Sequence, residues 1–176
     1  MAESAIYPSL RDRVVFVSGG ASGIGAAIVE QFCLQGAKVS FVDIDADAAA
    51  SLADDIAARD LPRPRFLPCD LKDVEALQYT IGQVITADGP ITALINNAAN
   101  DERHTIDDVT PAYFDDRIAV NLRHQFFATQ AVHGPMAEAG GGAIVNIGSV
   151  TWLIGQGGMP CYSASKAAVA GLTRSL

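Results

Sequence analysis

Tyr162 and Lys166 lie four residues apart near the end of the chain and are the pair best suited to proton transfer. In a helix, this spacing places two side chains on the same face. An ammonium group beside a phenol favours the phenolate, so that the phenol can act as a base near neutral pH. The pair is therefore a candidate acid–base centre, although a Tyr and a Lys at this spacing also occur in helices without any such role.

Ser149 is a third polar residue in a position suited to chemistry. It follows the apolar segment 143–148, AIVNIG, which has the composition of a buried strand. In an open parallel sheet, ligands bind beyond the carboxyl ends of the strands, which is where Ser149 would then lie. Taken by itself, Ser149 is equally compatible with an ordinary turn residue.

A glycine-rich segment at residues 18–25, SGGASGIG, lies between a predicted strand and a predicted helix. Glycine lets the backbone approach a ligand closely, and the free N–H groups and the dipole at the start of a helix favour a pyrophosphate. The segment therefore predicts a phosphate-binding turn. The alternative is a turn that serves only the close packing of helix on strand.

Asp43 ends the second predicted strand, roughly 20 residues after the glycines, where dinucleotide-binding folds place an acid against the adenosine ribose. Its carboxylate would repel the 2′-phosphate of NADP, and the glycine-rich segment contains no Arg or Lys to offset that charge. The sequence therefore favours NAD over NADP. The alternative, that Asp43 only caps the next helix, is weaker because Asp45 is better placed to do so.

Alternating strands and helices must position these residues. Short apolar, β-branched segments predict strands at residues 13–18, 38–43, 65–70, 91–96 and 143–148. Helices are predicted at residues 23–35, 45–59, 72–87, 110 to about 140 and about 161 to the end, with Thr110 and Pro111 opening the fourth. This order predicts an α/β fold, a three-layer, Rossmann-like, doubly wound parallel sheet in one domain over residues 1–176.

Composition excludes several other classes of protein. Of the 176 residues 49% are hydrophobic, enough for a packed core, and the net charge of −8 argues against binding to nucleic acid or to an anionic membrane surface. The first ten residues lack the features of a signal peptide, and no apolar run approaches the ~20 residues of a membrane span. Cys33, Cys69 and Cys161 form no metal-binding pattern, so we expect reduced thiols, no metal and a cytoplasmic protein.

Several motifs together resemble the short-chain dehydrogenase/reductase family over nearly the whole chain. They are the segment 18–25, the Asn-Asn-Ala at 96–98, the Val-Asn-Leu at 120–122, Ser149 after a glycine, and the Tyr-Ser-Ala-Ser-Lys at 162–166, in that order. The resemblance implies that Tyr162 is the catalytic acid or base and that Ser149 donates to the substrate oxygen. It further implies that Lys166 favours the phenolate and holds the nicotinamide ribose, and that Asn121 positions a water in a proton relay.

The resemblance also implies where the cofactor binds. The pyrophosphate would lie along the glycine-rich segment, the adenine against Asp70 and Leu71, and the inner ribose against Asn97. The complete set of cofactor-binding residues is Gly19, Ser22, Gly23, Ile24, Gly25, Asp43, Asp70, Leu71, Asn97, Tyr162 and Lys166. Asn96 is interpreted as structural. Two residues depart from the family pattern: Ser18 replaces a commoner Thr, and Ala99 replaces a glycine, which questions the backbone angle there.

Three further segments indicate a substrate. Residues 5–10, 96–111 and 118–132 look similar to the bacterial D-xylose 1-dehydrogenases and related aldose dehydrogenases of this family. This implies oxidation of the anomeric hydroxyl of an aldose such as D-xylose to its lactone, with hydride transfer to NAD. Loop residues Asn100, Arg103, His104 and Trp152 either contact the sugar or serve loop structure. His124 and His133 are expected to be packing or solvent residues, and Cys161 a small apolar neighbour of Tyr162.

Two alternatives to the sugar dehydrogenase remain open. One is a 3-oxoacyl or steroid-type keto reductase, and the other is an inactive nucleotide-binding fragment or a module that pairs with another chain. The second arises because family members continue beyond the position of Leu176 through two more strands and a substrate-covering loop. We therefore expect a chain truncated on its C-terminal side, with an unpaired edge on the fifth strand. The resemblance also implies a homotetramer assembled through the helices around 110–139 and 161–176.

Overall fold

The computed structural model describes residues 5–176, and its centre is a sheet of five parallel strands. The strands are β1 (Val14–Ser18), β2 (Lys38–Asp43), β3 (Arg65–Pro68), β4 (Ala93–Asn96) and β5 (Ala143–Asn146). Their order across the sheet is β3-β2-β1-β4-β5. The chain winds outward from β1 in both directions, which confirms the predicted doubly wound α/β fold.

Helices connect the strands and cover both faces of the sheet. They are α1 (Gly23–Leu34), α2 (Ala46–Ala57), α3 (Val74–Asp88), α4 (Pro111–Ile118), α5 (His124–Glu138) and α6 (Pro160–Ser175), with a short 3₁₀ helix at Pro8–Leu10. The predicted strands and helices all occur, with ends that shift by a few residues. The one departure is the predicted helix from 110 to about 140, in which a π-helical segment, Ala119–Arg123, separates α4 from α5.

Two hydrophobic cores lie on opposite faces of the sheet. Alternate residues of β1 point to opposite faces, so Phe16 packs in the core under α3 and α5, whereas Val15 and Val17 pack in the core under α1 and α2. All five residues of β1 are buried, as expected for a central strand covered on both sides. The sheet is therefore the middle layer of three.

The carboxyl ends of the strands meet at one edge, which places the candidate residues together. Ser18 is in register with Val42 on one side and with Asn96 on the other, and Asn96 is in register with Asn146. The segments that follow these strands therefore emerge side by side. They include the glycine-rich turn, Asp43 and the loop that carries Ser149.

Strand β5 pairs with β4 and with no other strand among residues 5–176. Its outer edge is accordingly open within this range, as predicted, and Val145 is 43% exposed. No helix in the described range is both long and apolar enough to span a bilayer.

Candidate active site

The glycine-rich turn adopts a backbone that side chains would disrupt. Gly19 has a φ of +67°, and a Cβ there would lie 2.8 Å from the Cα of Ala98. A Cβ at Gly25 would collide with the carbonyl oxygen of Gly19 and lie 2.7 Å from Nδ2 of Asn97. Gly23, with a φ of +54°, begins α1. The Ser22 side chain does not cap this helix, so its first N–H groups remain available to an anion.

The carboxylate of Asp43 is fixed against this turn. Its Oδ2 accepts a hydrogen bond from the backbone N–H of Ala21 at 2.9 Å, and its Oδ1 accepts from Ile44 at 2.8 Å and Asp45 at 3.2 Å. The cap of α2 is instead Asp45, whose Oδ1 accepts from the N–H of Ala48 at 3.0 Å. Asp43 is thus not the helix cap, and its charge lies beside the predicted phosphate-binding turn.

Ser18 and Asn97 join the turn to the end of β4. The Ser18 hydroxyl oxygen accepts from the N–H groups of Asn97 and Ala98, so a hydroxyl at this position has a structural role that Ser fulfils. Nδ2 of Asn97 donates to the carbonyls of Ser18 and Gly19. Ala99 needs no glycine, because the non-glycine residues with left-handed φ among residues 5–176 are Asp12 and Asp60.

Asn96 has the structural role predicted for it. Its Nδ2 donates to Oδ1 of Asn146 at 2.8 Å and so joins β4 to β5.

A cavity of about 430 Å³ opens at this edge of the sheet. Eight predicted cofactor-binding residues line it: Gly19, Ser22, Ile24, Gly25, Asp43, Asp70, Leu71 and Asn97. Gly23 is not in the lining, nor are Asn121, Ser149, Tyr162 and Lys166. The structure therefore brings the predicted adenosine and pyrophosphate residues into one cavity and leaves the predicted catalytic residues outside its wall.

Sequence reasoning missed a charged cluster in the wall of this cavity. Nζ of Lys72 donates to Oδ1 of Asp116 at 3.0 Å, and the guanidinium of Arg117 binds the other oxygen of the same carboxylate. The hydrogen bonds from Arg117 and Lys72 hold the pKa of Asp116 below its usual value. Lys72 and Asp116 are 44 positions apart, so no local pattern in the sequence indicates the pair.

Lys166 and Tyr162 lie together on one side of α6. The Lys166 side chain is 1% exposed, its Nζ donates to the carbonyl of Ile147 at 2.7 Å, and that nitrogen lies 5.6 Å from the centroid of the Tyr162 ring. Burial lowers the pKa of Lys166 to about 8, so the ammonium is still the main form at neutral pH. Ile147 directly follows β5 and precedes Ser149 by two residues. The Lys166 ammonium, bound to Ile147, and Ser149 therefore both lie at the carboxyl end of β5.

Asn121 is buried in the π-helical segment and holds the loop that follows β4. Its Oδ1 accepts from the N–H of Asn100 at 2.8 Å, and its Nδ2 donates to the Asn100 carbonyl at 3.0 Å. The Asn100 side chain accepts from the N–H of Glu102, so it forms a local turn. For Asn100, the loop-structure alternative is therefore favoured over a sugar contact.

The other loop residues considered as sugar contacts differ in their surroundings. Trp152 is 41% exposed, in the segment between β5 and α6. Arg103 and His104 instead contact the segment before α6 and its first turn: Nη1 of Arg103 lies 3.5 Å from the Gly157 carbonyl, and the N–H of Cys161 donates to Nε2 of His104 at 3.3 Å.

The histidines of α5 have the environments expected of them. His124 is fully buried, while His133 is exposed. Burial, followed by the nearby charge of Lys166, lowers the pKa of His124 to about 4, so the imidazole is neutral at neutral pH. Cys161 is 3% exposed, as expected of a small apolar neighbour of Tyr162.

Comparison with known proteins identifies the family. The sequence model described as short chain dehydrogenase matches residues 13–176. This chain belongs to the short chain dehydrogenase family. It is therefore an oxidoreductase that acts on CH–OH groups, and the resemblance found in its motifs is confirmed.

Two relatives of this short chain dehydrogenase are named as sugar dehydrogenases. "Probable galactose dehydrogenase GalD" of Rhizobium meliloti (strain 1021) is 45% identical over 173 residues, covering 98% of this chain and 68% of the relative. A D-xylose 1-dehydrogenase of Caulobacter vibrioides (strain NA1000 / CB15N) is 44% identical over 173 residues, with the same 98% and 68% coverage.

A solved structure shares the fold of this short chain dehydrogenase. A metagenomic short-chain oxidoreductase in complex with NADP matches with a TM-score of 0.90 at 30% identity, covering 95% of this chain and 76% of that chain. A nicotinamide cofactor is thus shown for the family, whereas the choice between NAD and NADP depends on the residues of each member.

Proposed function

We propose that this short chain dehydrogenase oxidises the anomeric hydroxyl of an aldose such as D-xylose to its lactone, with NAD as hydride acceptor. The observation that carries the proposal is the position of Lys166 Nζ, 5.6 Å from the Tyr162 ring centroid, at the sheet edge that also holds the glycine-rich turn. The aldose follows from the names of the two relatives at 45% and 44% identity.

The residues at the cavity fit a dinucleotide. A Cβ at Gly19 or Gly25 would collide with Ala98 or with the Gly19 carbonyl, so the turn exposes backbone without side chains at these positions. The first N–H groups of α1 also lack a side-chain cap that would compete with a phosphate. The fixed carboxylate of Asp43 favours NAD, since it would repel a 2′-phosphate. The cations Lys72 and Arg117 also line the cavity but already share the carboxylate of Asp116. When bound, NAD supplies the hydride acceptor.

Residues of this chain carry out the proton transfer. Tyr162, as phenolate, accepts the proton of the sugar hydroxyl, while the buried ammonium of Lys166 stabilises the negative charge. Ser149 donates a hydrogen bond to the substrate oxygen, and Asn121 holds the loop after β4 and the water of the relay. The carbon loses a hydride and the oxygen a proton, so that the products are lactone, NADH and one released proton.

The test is turnover by the purified protein, followed by the absorbance of NADH or NADPH. We expect reduction of NAD with D-xylose or D-galactose and a clearly lower rate with NADP. Activity only with NADPH and ketones would support the keto reductase instead, and saturable NAD binding without turnover on any sugar or alcohol would support the inactive fragment.

Tyr162→Phe separates chemistry from cofactor binding. The variant keeps the ring and removes the hydroxyl, so we expect turnover to fall by at least about 100-fold while NAD affinity stays within a few fold. Both are measured on the same preparation, by steady-state rates and by calorimetry. Turnover comparable with that of the unchanged protein would show that Tyr162 is not the acid–base residue.

We also propose a cytoplasmic homotetramer with no nucleic-acid or membrane partner. Support for the tetramer comes from two exposed aromatic side chains, Phe126 at 47% on the 15-residue helix α5 and Phe114 at 44% on the shorter α4. Support for the cytoplasm comes from three cysteines that are all buried and unpaired.

A further inference from the structure

The first turn of α6, the helix that carries Tyr162, has an unusual cap. A helix leaves the N–H groups of its first turn without partners inside the helix, and they need an acceptor from elsewhere. Met159, at the N-cap position of α6, provides none from its side chain. The N–H of Cys161 donates instead to Nε2 of His104, at 3.3 Å, from the loop 57 positions earlier.

The rest of the His104 ring is held just as firmly. Its Nδ1 lies 2.9 Å from the carbonyl oxygen of Glu102 and 3.0 Å from the hydroxyl of Tyr113, whose ring meets the imidazole edge-on with centroids 5.0 Å apart. The backbone N–H of His104 also donates to the carbonyl of Gly158, at 3.0 Å, in the segment before α6. The side chain therefore joins the loop after β4, helix α4 and the start of α6.

These contacts determine the form of the imidazole. The carbonyl of Glu102 only accepts and the N–H of Cys161 only donates, so the proton is on Nδ1 and the lone pair is on Nε2. A doubly protonated ring would face the N–H of Cys161 with a second donor and would bring a positive charge to a helix N-terminus, where it is unfavourable. Nε2 of His104 is thus a hydrogen-bond acceptor in this arrangement.

We propose that His104 is a positioning residue for the reaction, because its Nε2 caps α6 and so fixes Tyr162, the residue next to Cys161. This inference rests on the proposed role of Tyr162 as acid or base. Lys166 lies one turn further along α6 and is held independently by Ile147, so loss of the cap moves the phenol relative to the ammonium. Small displacements of a proton-transfer group reduce its rate steeply, whereas the cofactor cavity has no His104 in its wall.

Three substitutions test which atom of the ring matters. H104Q keeps an acceptor close to the place of Nε2, H104N keeps polar atoms only close to Nδ1, and H104F keeps the ring shape with no acceptor. We expect kcat to fall about tenfold in H104F and H104N and to recover to within about threefold in H104Q, with KM for NAD unchanged. The control is His133→Gln, on the exposed side of α5, which should leave kcat unchanged.

A second measurement does not depend on turnover. Amide hydrogen exchange at Cys161 should be faster in H104F and H104N than in the unchanged protein and slow again in H104Q, since the cap protects that N–H. Should the protein prove to reduce ketones instead of oxidising aldoses, the same kcat series is run with that substrate. Failure of the aldose proposal is therefore distinguishable from failure of the cap.

Two outcomes would overturn the inference. One is an increase in KM for the sugar with kcat unchanged, which would make His104 a substrate contact. The other is equal kcat and equal Cys161 exchange in H104Q and H104F, which would make the acceptor at Nε2 irrelevant.

Discussion

At the scale of single residues, burial decides the charge of Lys166, a member of the candidate catalytic pair, and of His124, which lies near it. Lys166 is buried but donates to the Ile147 carbonyl, and its pKa, lowered to about 8, still leaves it mainly protonated at neutral pH. His124 is equally buried, and the combined effect of burial and the Lys166 charge lowers its pKa to about 4. The same interior therefore holds one cation and one neutral imidazole.

The neutral state of His124 makes stability depend on pH. Between about pH 6.5 and pH 4 the unfolded chain binds a proton at His124 and the folded chain does not, so the free energy of unfolding decreases as the pH falls. The expected loss between about pH 7 and about pH 5 is about 2 kcal/mol, measured by urea unfolding. Above about pH 6.5, the pKa of His124 in the unfolded chain, His124 is neutral in both states, so this loss of stability does not occur there.

Substitution of His124 tests whether this residue causes the loss of stability at low pH. His124→Phe removes the titration and should flatten the pH dependence by about 2 kcal/mol over that range, whereas His133→Gln, at an exposed position of the same helix, should leave it as it is. An equally steep pH dependence in His124→Phe would show that other groups cause the loss.

At the scale of elements, the glycine-rich turn and helix α1 form a unit whose backbone leaves no room for a side chain. The carbonyl of Gly19 lies where a Cβ of Gly25 would be, and the Asn97 amide that ties this turn to β4 is 2.7 Å from the same point. The turn, α1 and β4 are thus held in one arrangement by contacts that a single methyl group would break.

Gly25→Ala should therefore displace the turn. We expect NAD affinity to fall by at least about tenfold and the free energy of unfolding to fall by about 1–3 kcal/mol, because the new methyl group cannot be accommodated without backbone movement. Calorimetry with NAD and urea unfolding measure the two effects.

Gly82→Ala is the matched control, since a Cβ at this exposed position of α3 meets no atom within 4 Å. It should raise the free energy of unfolding by up to about 1 kcal/mol through helix propensity, and leave NAD affinity unchanged. If both alanine variants bound NAD equally well, the turn would not be the pyrophosphate site.

At the scale of the whole molecule, the candidate site lies at one edge of the sheet, while helices α4 and α5 each present an aromatic side chain to solvent. Phe126 on α5 and Phe114 on α4 are each more than two-fifths exposed, at 47% and 44%. Aromatic side chains are enriched at contacts between subunits, so we expect this part of the surface to be covered in the assembly. A charge at such a position would be buried without a partner on assembly.

Phe126→Asp should thus lower the mass of the particle in solution, measured by light scattering. Ser51→Asp, at an exposed polar position of α2, is the control and should leave the mass unchanged. A tetramer that persisted in Phe126→Asp would exclude this face as the interface, and a monomer for the unchanged protein would exclude the tetramer altogether.

The sequence by itself determined the order of strands and helices, the glycine-rich turn between β1 and α1, and the helix caps at Asp45 and Thr110. These depend on interactions between near neighbours: the alternation of apolar residues, the φ angles open to glycine, and a side chain that reaches an N–H a few residues ahead. The spacing of Tyr162 and Lys166 belongs with them, since one turn of helix places both on one face.

Only the tertiary structure decided how distant segments meet. The π-helical segment interrupts a helix that periodicity predicts as continuous, at the point where Asn121 binds the backbone of Asn100. The Lys72–Asp116 pair and the cap that His104 gives to α6 join residues 44 and 57 positions apart. Local patterns indicate which side of a helix or strand is buried. Which distant segment packs against that side is determined by the packing of the whole chain.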